Sequence, residues 1–168
     1  MSNKELGFVF KKELCIQCHA CESACKNWHH TGPGVKWRRI AHRWQGNYPF
    51  VSGYTLSLAC MHCLNPECTR VCPAGAIKKH PDTGAVLVEP SKCIGCGRCL
   101  KACPVKAPQF GADGRMQKCD LCYGDPAVFD TSEPPCIRAC PTQALSLQWR
   151  TPQEKADDER QMTDLAKD

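Results

Sequence analysis

The stretch CIGCGRCLKACP, residues 93–104, separates four cysteines by two, two and three residues and follows the last with a proline. This C-x-x-C-x-x-C-x-x-x-C-P spacing lets three thiolates ligate one iron–sulfur cube while the fourth reaches a neighbouring cube. Gly95 and Gly97 suit a loop that wraps closely around a cluster, because glycine lacks a Cβ and adopts positive φ. Pro104 disfavours helical φ/ψ at the cysteine before it and so helps to end the preceding segment. The stretch predicts an iron–sulfur site that shares ligands with a second one.

The remaining cysteines repeat this arrangement. Sixteen of the 168 residues are cysteine, and all of them fall into four groups of four. Every group ends in C-x-x-x-C, and a proline follows at once in the second, third and fourth groups, whereas Lys26 takes that position in the first. The groups are, in chain order, Cys15, Cys18, Cys21 and Cys25; Cys60, Cys63, Cys68 and Cys72; Cys93, Cys96, Cys99 and Cys103; and Cys119, Cys122, Cys136 and Cys140.

Other uses of cysteine account for this spacing less well. So high a cysteine content would indicate a disulfide framework in a short secreted chain, and structural zinc is normally held by two C-x-x-C pairs far apart in sequence. His19 and His62 lie inside cysteine loops, and a Rieske-type centre uses two histidines on one iron. The thiolate count is already complete, however, so we expect both histidines to lie beside the clusters or at the surface. The pattern favours [4Fe-4S] clusters ligated by cysteine alone.

The four groups divide the chain into an inner and an outer unit. Residues 60–118 hold groups two and three, and residues 73–92 between these groups predict a β-hairpin that turns at DTG. The outer unit combines residues 1–59 with 119–150. Pairing of the strand-forming sequences GFVF and ALSLQW, at the two ends of this unit, would bring groups one and four together.

Three segments go beyond a minimal iron–sulfur module. Residues 26–59 contain the partly alternating sequences VKWRRIAHRW and YTLSLAC, which predict additional strands. Residues 123–135, YGDPAVFDTSEPP, predict a loop. In the tail, residues 151–168, the capping box TPQE with proline at the first helical position predicts a helix over 152–166. This polar helix is expected either to lie solvated on the surface or to dock on a partner. We therefore predict an α+β fold of two ferredoxin-like modules, each binding a pair of [4Fe-4S] clusters, with inserted strands and a C-terminal helix.

Charge and hydropathy limit the possible partners. The formal net charge is +5, but an oxidised cube with four thiolates carries about −2, so four cubes would make the loaded protein negative. A local basic segment predicts a solvated or cluster-compensating strand, or a docking surface for a partner, rather than a nucleic-acid site. We expect no membrane span of the chain's own and no signal peptide. The basic segment comprises Lys36, Arg38, Arg39, His42 and Arg43.

Taken together, CIQCHACESACKNW, CMHCLNPECTRVCPAGAI, CIGCGRCLKACPVKAPQF and the stretch from KCDLC to CIRACPTQAL resemble the iron–sulfur electron-transfer subunit of dimethyl sulfoxide reductase and related molybdopterin oxidoreductases. The resemblance covers residues 7–150. It implies four [4Fe-4S] clusters with crossed ligation. In the nitrate reductase branch of the family a tryptophan takes the place of Cys96 and one cluster has three irons, so the cysteine here implies four complete cubes.

The resemblance also implies which cysteines share a cluster, whereas spacing alone indicates only that ligation is crossed. The implied ligand sets are Cys15, Cys18, Cys21 and Cys140 for cluster 1; Cys60, Cys63, Cys68 and Cys103 for cluster 2; Cys93, Cys96, Cys99 and Cys72 for cluster 3; and Cys119, Cys122, Cys136 and Cys25 for cluster 4.

Such a subunit carries electrons in anaerobic respiration and is not an enzyme on its own. The resemblance implies a catalytic partner with molybdenum or tungsten bound by two pterins, and an integral membrane anchor that reacts with quinone. The expected location is peripheral to the membrane, on the cytoplasmic face or exported with a partner that carries a twin-arginine signal. A free-standing polyferredoxin that shuttles electrons between redox enzymes is the alternative.

Overall fold

The computed structural model describes residues 4–125 and 133–166. Over these residues the chain forms eight short strands in four antiparallel pairs and five α-helices. The strands are β1 (Glu5–Phe10), β2 (Arg39–Asn47), β3 (Phe50–Leu58), β4 (Ile77–Lys79), β5 (Val86–Val88), β6 (Gln109–Phe110), β7 (Met116–Gln117) and β8 (Leu145–Arg150). The helices are α1 (Ala20–Trp28), α2 (Glu67–Arg70), α3 (Arg98–Ala102), α4 (Pro135–Arg138) and α5 (Pro152–Ala166).

The two ends of the chain pair with each other, as predicted. β1 and β8 are antiparallel, with Phe8 opposite Leu147 and Phe10 opposite Leu145. Both aromatic rings pack against the buried group formed by Cys25, Cys136, Ile137 and Leu145. The pairing therefore brings cysteine groups from opposite ends of the sequence into one region.

The hairpin predicted between groups two and three is also confirmed. β4 and β5 pair antiparallel, and the turn is closed by hydrogen bonds from His80 N to Ala85 O at 2.7 Å and from Gly84 N to His80 O at 3.0 Å. Leu6 N donates to Thr83 O at 2.8 Å, which ties the turn to β1.

The segment between groups one and two forms a long hairpin, so the prediction of additional strands there is confirmed. β2 and β3 pair over nine residues each. Leu56 and Leu58 at the base of the hairpin are buried, whereas Trp44, Tyr48 and Phe50 near its tip are 74–93% exposed. The small β6–β7 pair was not predicted, because strands of two residues leave no periodic pattern.

α5 begins and ends where the capping box predicts. Thr151 N donates to Glu154 Oε2 at 2.8 Å and Glu154 N donates back to Thr151 Oγ1 at 3.3 Å, the reciprocal bonds of that motif. The helix packs on β1 and β8 of this same chain. Lys155 is 2% exposed and bonds Glu5, and Arg150 pairs with Asp158 at 2.8 Å. Part of the predicted loop, residues 126–132, lies outside the described residues.

The interior is small and rich in sulfur. Each of its three groups of buried apolar side chains includes cysteine: Cys60 and Cys119 in one, Cys25 and Cys136 in another, and Cys99 in the third. The elements are therefore arranged around thiols rather than around a large aliphatic core. Across the described ranges, no helix has the length and apolar character needed to cross a membrane.

Candidate metal centres

Each of the four cysteine loops contains a residue with positive φ directly before its second cysteine. These residues are Gln17 (φ 61°), His62 (φ 50°), Gly95 (φ 69°) and Leu121 (φ 65°). A left-handed residue next to right-handed ones aims successive backbone N–H groups at one point, which forms a nest for anions, as found at many iron–sulfur sites. Four loops of different composition therefore adopt the same feature, and that feature suits an anionic cluster.

The ends of the cysteine groups differ according to whether a proline follows the last cysteine. In the three groups with a proline, the helix stops before the last cysteine: α2 at Arg70, α3 at Ala102 and α4 at Arg138. In each of the three turns that follow, the third residue after the last cysteine has a positive φ. The first group has Lys26 instead, and α1 continues through the last cysteine to Trp28. The turn residues are Gly75, Lys106 and Gln143.

Three cavities are lined by cysteines from two groups each. In every case three cysteines come from one group and the fourth is the last cysteine of another. The first cavity is lined by Cys15, Cys18, Cys21 and Cys140; the second by Cys60, Cys63, Cys68 and Cys103; the third by Cys72, Cys93, Cys96 and Cys99.

The remaining cysteines also lie near one another. Cys25 and Cys136 belong to one buried group of side chains, and α1 packs against α4. Burial raises the pKa of Cys25 to about 12, and the neighbouring Cys136 contributes to the rise. Burial also raises the pKa of Cys119 and Cys122, again with contributions from Cys25 and Cys136.

Half of the sixteen thiols are held in surroundings that disfavour a free thiolate. Burial raises the pKa of Cys68 to about 11 and raises those of Cys21, Cys99 and Cys103 as well. A metal ligand must be the thiolate, so iron has to replace the proton at each position. Such a collection of buried acids is stable as anions only when cations neutralise them, and the donor set fits iron–sulfur clusters.

Buried cationic and N–H groups supply further compensation. Arg38 is 2% exposed, and within the described residues its Nε and Nη2 atoms have no hydrogen-bond partner. His62 is completely buried, accepts a bond from Val86 N at its Nδ1 and leaves Nε2 without a partner in the same part of the chain. Burial and the charges of Lys118, Lys155 and Arg38 keep the pKa of His62 well below 6.5. Because Nδ1 accepts the bond from Val86 N, the single proton of the neutral ring sits on Nε2, which can act as an N–H donor.

The basic segment 36–43 divides into groups with different roles. Arg38 points inward, which excludes it from a docking surface. Arg39 donates to Val105 O at 2.5 Å and to Lys106 O at 3.2 Å, and Lys36 pairs with Glu22 at 2.5 Å. His19, 3.6 Å from Glu22, also lies at the surface beside a cysteine loop.

Sequence reasoning missed some of the groups around the cysteines. His29 Nε2 is 3.3 Å from Cys122 Sγ and 3.8 Å from Asp120, so it can bond a ligating sulfur. Lys118 is 3% exposed and donates to Val86 O and Cys119 O. His29 belongs to none of the quoted stretches, and Lys118 opens the stretch KCDLC, so only its position directly before a cysteine group could have drawn attention to it.

The loops, turns and short strand pairs define an iron–sulfur protein with ferredoxin-type [4Fe-4S] domains. The family model described as 4Fe-4S dicluster domain matches residues 51–150, and the model described as 4Fe-4S binding domain matches residues 12–28. The dicluster match alone covers more than half of the sequence.

Curated relatives narrow the assignment. The chain is 41% identical over 152 residues to the probable anaerobic dimethyl sulfoxide reductase chain YnfG of Escherichia coli, covering 85% of this chain and 73% of the relative. It is 41% identical over 154 residues to an anaerobic dimethyl sulfoxide reductase chain of Haemophilus influenzae, with 86% and 74% covered. It is 37% identical over 165 residues to the formate dehydrogenase iron–sulfur subunit of Wolinella succinogenes, with 86% and 81% covered. This chain therefore belongs to the family of iron–sulfur electron-transfer subunits of dimethyl sulfoxide reductase and related molybdopterin oxidoreductases, and its relatives are not the catalytic subunits.

Proposed function

We propose that this chain holds four [4Fe-4S] clusters in two ferredoxin-like modules and carries electrons between a quinone-reactive membrane anchor and a molybdopterin catalytic subunit. The observation that carries the proposal is the crossed grouping of the cysteines. Three cavities each combine three cysteines of one group with the last cysteine of another, which is the ligation rule of two-cluster ferredoxins.

The proposed inner module is residues 60–118, and the proposed outer module is residues 1–59 with 119–150. The cysteines serve as ligands, four to each cluster. The proposed sets are Cys15, Cys18, Cys21 and Cys140 (cluster 1); Cys60, Cys63, Cys68 and Cys103 (cluster 2); Cys72, Cys93, Cys96 and Cys99 (cluster 3); and Cys25, Cys119, Cys122 and Cys136 (cluster 4).

Burial of the cysteines supports an order of these proposed sites along a path. A bound cube supplies one-electron chemistry, and the chain fixes its position, its solvent access and its electrostatic surroundings. Cys18 and Cys96 are exposed, whereas Cys60 and Cys119 are buried and belong to the same group of packed side chains. The cluster 1 and cluster 3 sites therefore reach the surface and serve as the two ends, and the cluster 2 and cluster 4 sites meet inside.

The partners are proposed from the relatives. Those relatives are named as chains or subunits of dimethyl sulfoxide reductase, formate dehydrogenase and sulfite dehydrogenase. In the proposed complex, one exposed end faces the molybdenum or tungsten subunit and the other faces the anchor, so that this chain is peripheral to the membrane. No substrate has to bind to this chain.

Metal analysis of anaerobically prepared full-length chain tests the cluster count. We expect about sixteen irons and sixteen acid-labile sulfides per chain, four of each per cube, and a Mössbauer spectrum of cubes only. Half that content, or stoichiometric zinc, would overturn the proposal. Expression together with the neighbouring genes tests the partners: stable co-purification with a molybdenum-containing chain is expected, and isolation as a free carrier favours the polyferredoxin alternative.

A further inference from the structure

A buried arginine lies among the cysteines of the outer unit. The Arg38 side chain is 2% exposed, although the residue directly precedes β2 in a strongly basic segment. Its Nη1 donates to Ser57 Oγ at 3.0 Å, and its guanidinium carbon lies 4.3 Å from the centroid of the Phe8 ring. Within the described residues, Nε and Nη2 are buried without a hydrogen-bond partner. Nε and Nη2 can therefore donate hydrogen bonds to groups that are present only when the cluster sites are occupied.

Besides Ser57 and Phe8, the surroundings of Arg38 contain cysteine sulfur. Its backbone N–H donates to Cys25, and Ser57 Oγ lies 3.6 Å from Cys21 Sγ. Phe8, whose ring lies under the guanidinium, packs against the buried group that contains Cys119 and against the one that contains Cys136, and both thiols interact electrostatically with Arg38. No carboxylate forms an ion pair with Arg38 among the residues that the structure describes.

A buried guanidinium without a counter-charge is costly, because the desolvation of an unpaired ion amounts to several kcal/mol. The other buried cations have ordinary partners: Lys155 pairs with Glu5, and Lys118 donates to two carbonyl oxygens. For Arg38, the negative charge must come from the thiolates and the clusters that they ligate. Arg38 is therefore positioned to stabilise the negative charge of those clusters.

We propose that Arg38 sets the reduction potentials of the two outer clusters, holding both above the values they would have in its absence. The proposal rests on the ligand sets proposed above. Three of the four neighbouring sulfurs, Cys25, Cys119 and Cys136, belong to the cluster 4 site, and Cys21 belongs to the cluster 1 site. The effect is therefore largest at cluster 4, smaller at cluster 1 and smallest in the inner module.

The physical basis is the charge difference between the two redox states. One electron from an external reductant changes a cube with four thiolates from about −2 to −3, and no bond is formed or broken. A fixed positive charge stabilises the more negative state, and this stabilisation falls with distance. Because an arginine stays protonated in proteins, the effect is present at every physiological pH. A single cation near both sites raises both potentials, and it raises that of the nearer cluster more.

The experiment uses the full-length chain, loaded anaerobically, in potentiometric titrations followed by EPR. Arg38→Gln removes the charge, and Arg38→Lys keeps it while changing the hydrogen-bonding geometry. Arg39→Gln is the matched control, because it removes the same charge from the next residue, whose guanidinium bonds the carbonyls of Val105 and Lys106 instead. Signals are assigned to individual clusters through single cysteine-to-serine variants.

We expect Arg38→Gln to lower the potential of cluster 4 most and that of cluster 1 less. Each of these two shifts should have the same size at pH 6 as at pH 9. Arg38→Lys should stay close to wild type, and Arg39→Gln should leave both outer clusters unchanged. Four intact clusters with unaltered outer potentials in Arg38→Gln would overturn the inference, as would a shift of equal size in Arg38→Lys.

Two further outcomes separate the possible failures. If Arg38→Gln does not load all four clusters, Arg38→Met replaces it, since it keeps an unbranched apolar stem without a new buried amide. Failure of both neutral variants to load the outer clusters, with normal loading of Arg38→Lys, would overturn the inference in favour of a purely structural role. A wild-type chain with fewer than four clusters would instead refute the proposed function, whatever the potentials.

Discussion

Cys60 and Cys119 pack in the same buried group of side chains, although one opens the second cysteine group and the other opens the fourth. Ala59, Val105 and Ala107 complete the group, and both cysteines are 7% exposed. In the proposed arrangement, Cys60 ligates cluster 2 and Cys119 ligates cluster 4. The proposal therefore assigns the exchange of electrons between the inner and outer modules to this contact.

Substituting Cys119 by serine should interrupt electron transfer between cluster 4 and cluster 2, in the middle of the proposed path. In the assembled complex, a reductant that enters from either end should then reduce only the clusters on its own side, because the cluster 4 site is impaired. Freeze-quench EPR of each cluster after addition of the reductant measures this. Cys18→Ser, at an exposed end, is the control and should leave the middle steps intact. Reduction on both sides at the wild-type rate in Cys119→Ser would contradict the proposed order.

Two glycines of the third cysteine group should differ in their tolerance of a methyl group. Gly95 and Gly97 both have positive φ, but a Cβ on Gly95 would lie 2.6 Å from Gly114 O, whereas a Cβ on Gly97 meets nothing within 4 Å. Both alanine variants carry the left-handed strain of about 1 kcal/mol, and only Gly95→Ala must also displace backbone. We expect Gly95→Ala to lose most of the iron of cluster 3 and Gly97→Ala to keep it, as measured by iron content and EPR. Equal occupancy in the two variants would show that the close approach is unimportant.

Glu5 should be important for stability, because two lysines depend on it. It pairs with Lys155 and Lys79 at 2.6 Å each, and Lys155 is almost completely buried. Glu5→Gln leaves a buried ammonium group without its anion and should cost about 3 kcal/mol, or about 6–12 °C in anaerobic thermal unfolding. Glu67→Gln breaks an exposed pair with Arg70 and should cost less than about 1 kcal/mol.

The pH dependence of this effect has a definite sign. Burial tends to raise the pKa of Glu5, but hydrogen bonds from Lys155 and Lys79 outweigh it and hold that pKa below 4.5. The stabilisation by Glu5 is therefore complete above pH 4.5 and is lost as the pH falls through the lowered pKa. The difference between wild type and Glu5→Gln should be the same at pH 6 and pH 8. A difference that grows between these values would assign the effect to another group.

Glu159 on α5 should lower the potential of cluster 2. Its carboxylate accepts a hydrogen bond from Leu64 N at 2.6 Å, and it adds to the effect of burial in raising the pKa of Cys63. A negative charge there opposes the uptake of an electron, so Glu159→Gln should raise the potential of cluster 2. Asp157→Asn, on an exposed part of the same helix, should leave it unchanged.

Burial also raises the pKa of Glu159 itself. The difference in potential between wild type and Glu159→Gln should therefore be largest at high pH and should shrink on acidification, when the carboxyl takes up a proton. Potentiometric titrations at several pH values measure this dependence. An equal shift in Asp157→Asn would mean that the overall charge of the helix, and not the position of Glu159, is responsible.

The cysteine spacing predicted more of the site than of the scaffold. It located the cysteine loops, and Pro104 indicated the end of the segment before Cys103, where α3 stops at Ala102, because ligand spacing and proline restrict the backbone locally. The strand pairs at 5–10 with 145–150 and at 77–79 with 86–88 also follow the predicted pattern. The division into modules and the ligand sets remain proposals.

The buried charges could not be predicted, because rules of burial assume an apolar interior. For Arg38 the sequence left a solvated strand, a cluster-compensating strand and a docking surface open, since isolated cations normally remain in water. Here the interior contains cysteine thiolates, so a cation is favoured inside the protein. α5 departs for a related reason: its few apolar positions indicated a solvated or partner-bound helix, but Lys155 and Asp158 attach it to this chain through ion pairs.

The contrast between exposed Cys18 and Cys96 and buried Cys60 and Cys119 has a consequence for damage by air. Dioxygen reaches iron most readily where solvent does, so in the proposed arrangement oxidation would begin at cluster 1 and cluster 3 and move inward. A protein briefly exposed to oxygen would lose electron transfer to both partner subunits, while clusters 2 and 4 would survive. A partner subunit bound over each end would then shield the iron from oxygen as well as complete the electron-transfer path.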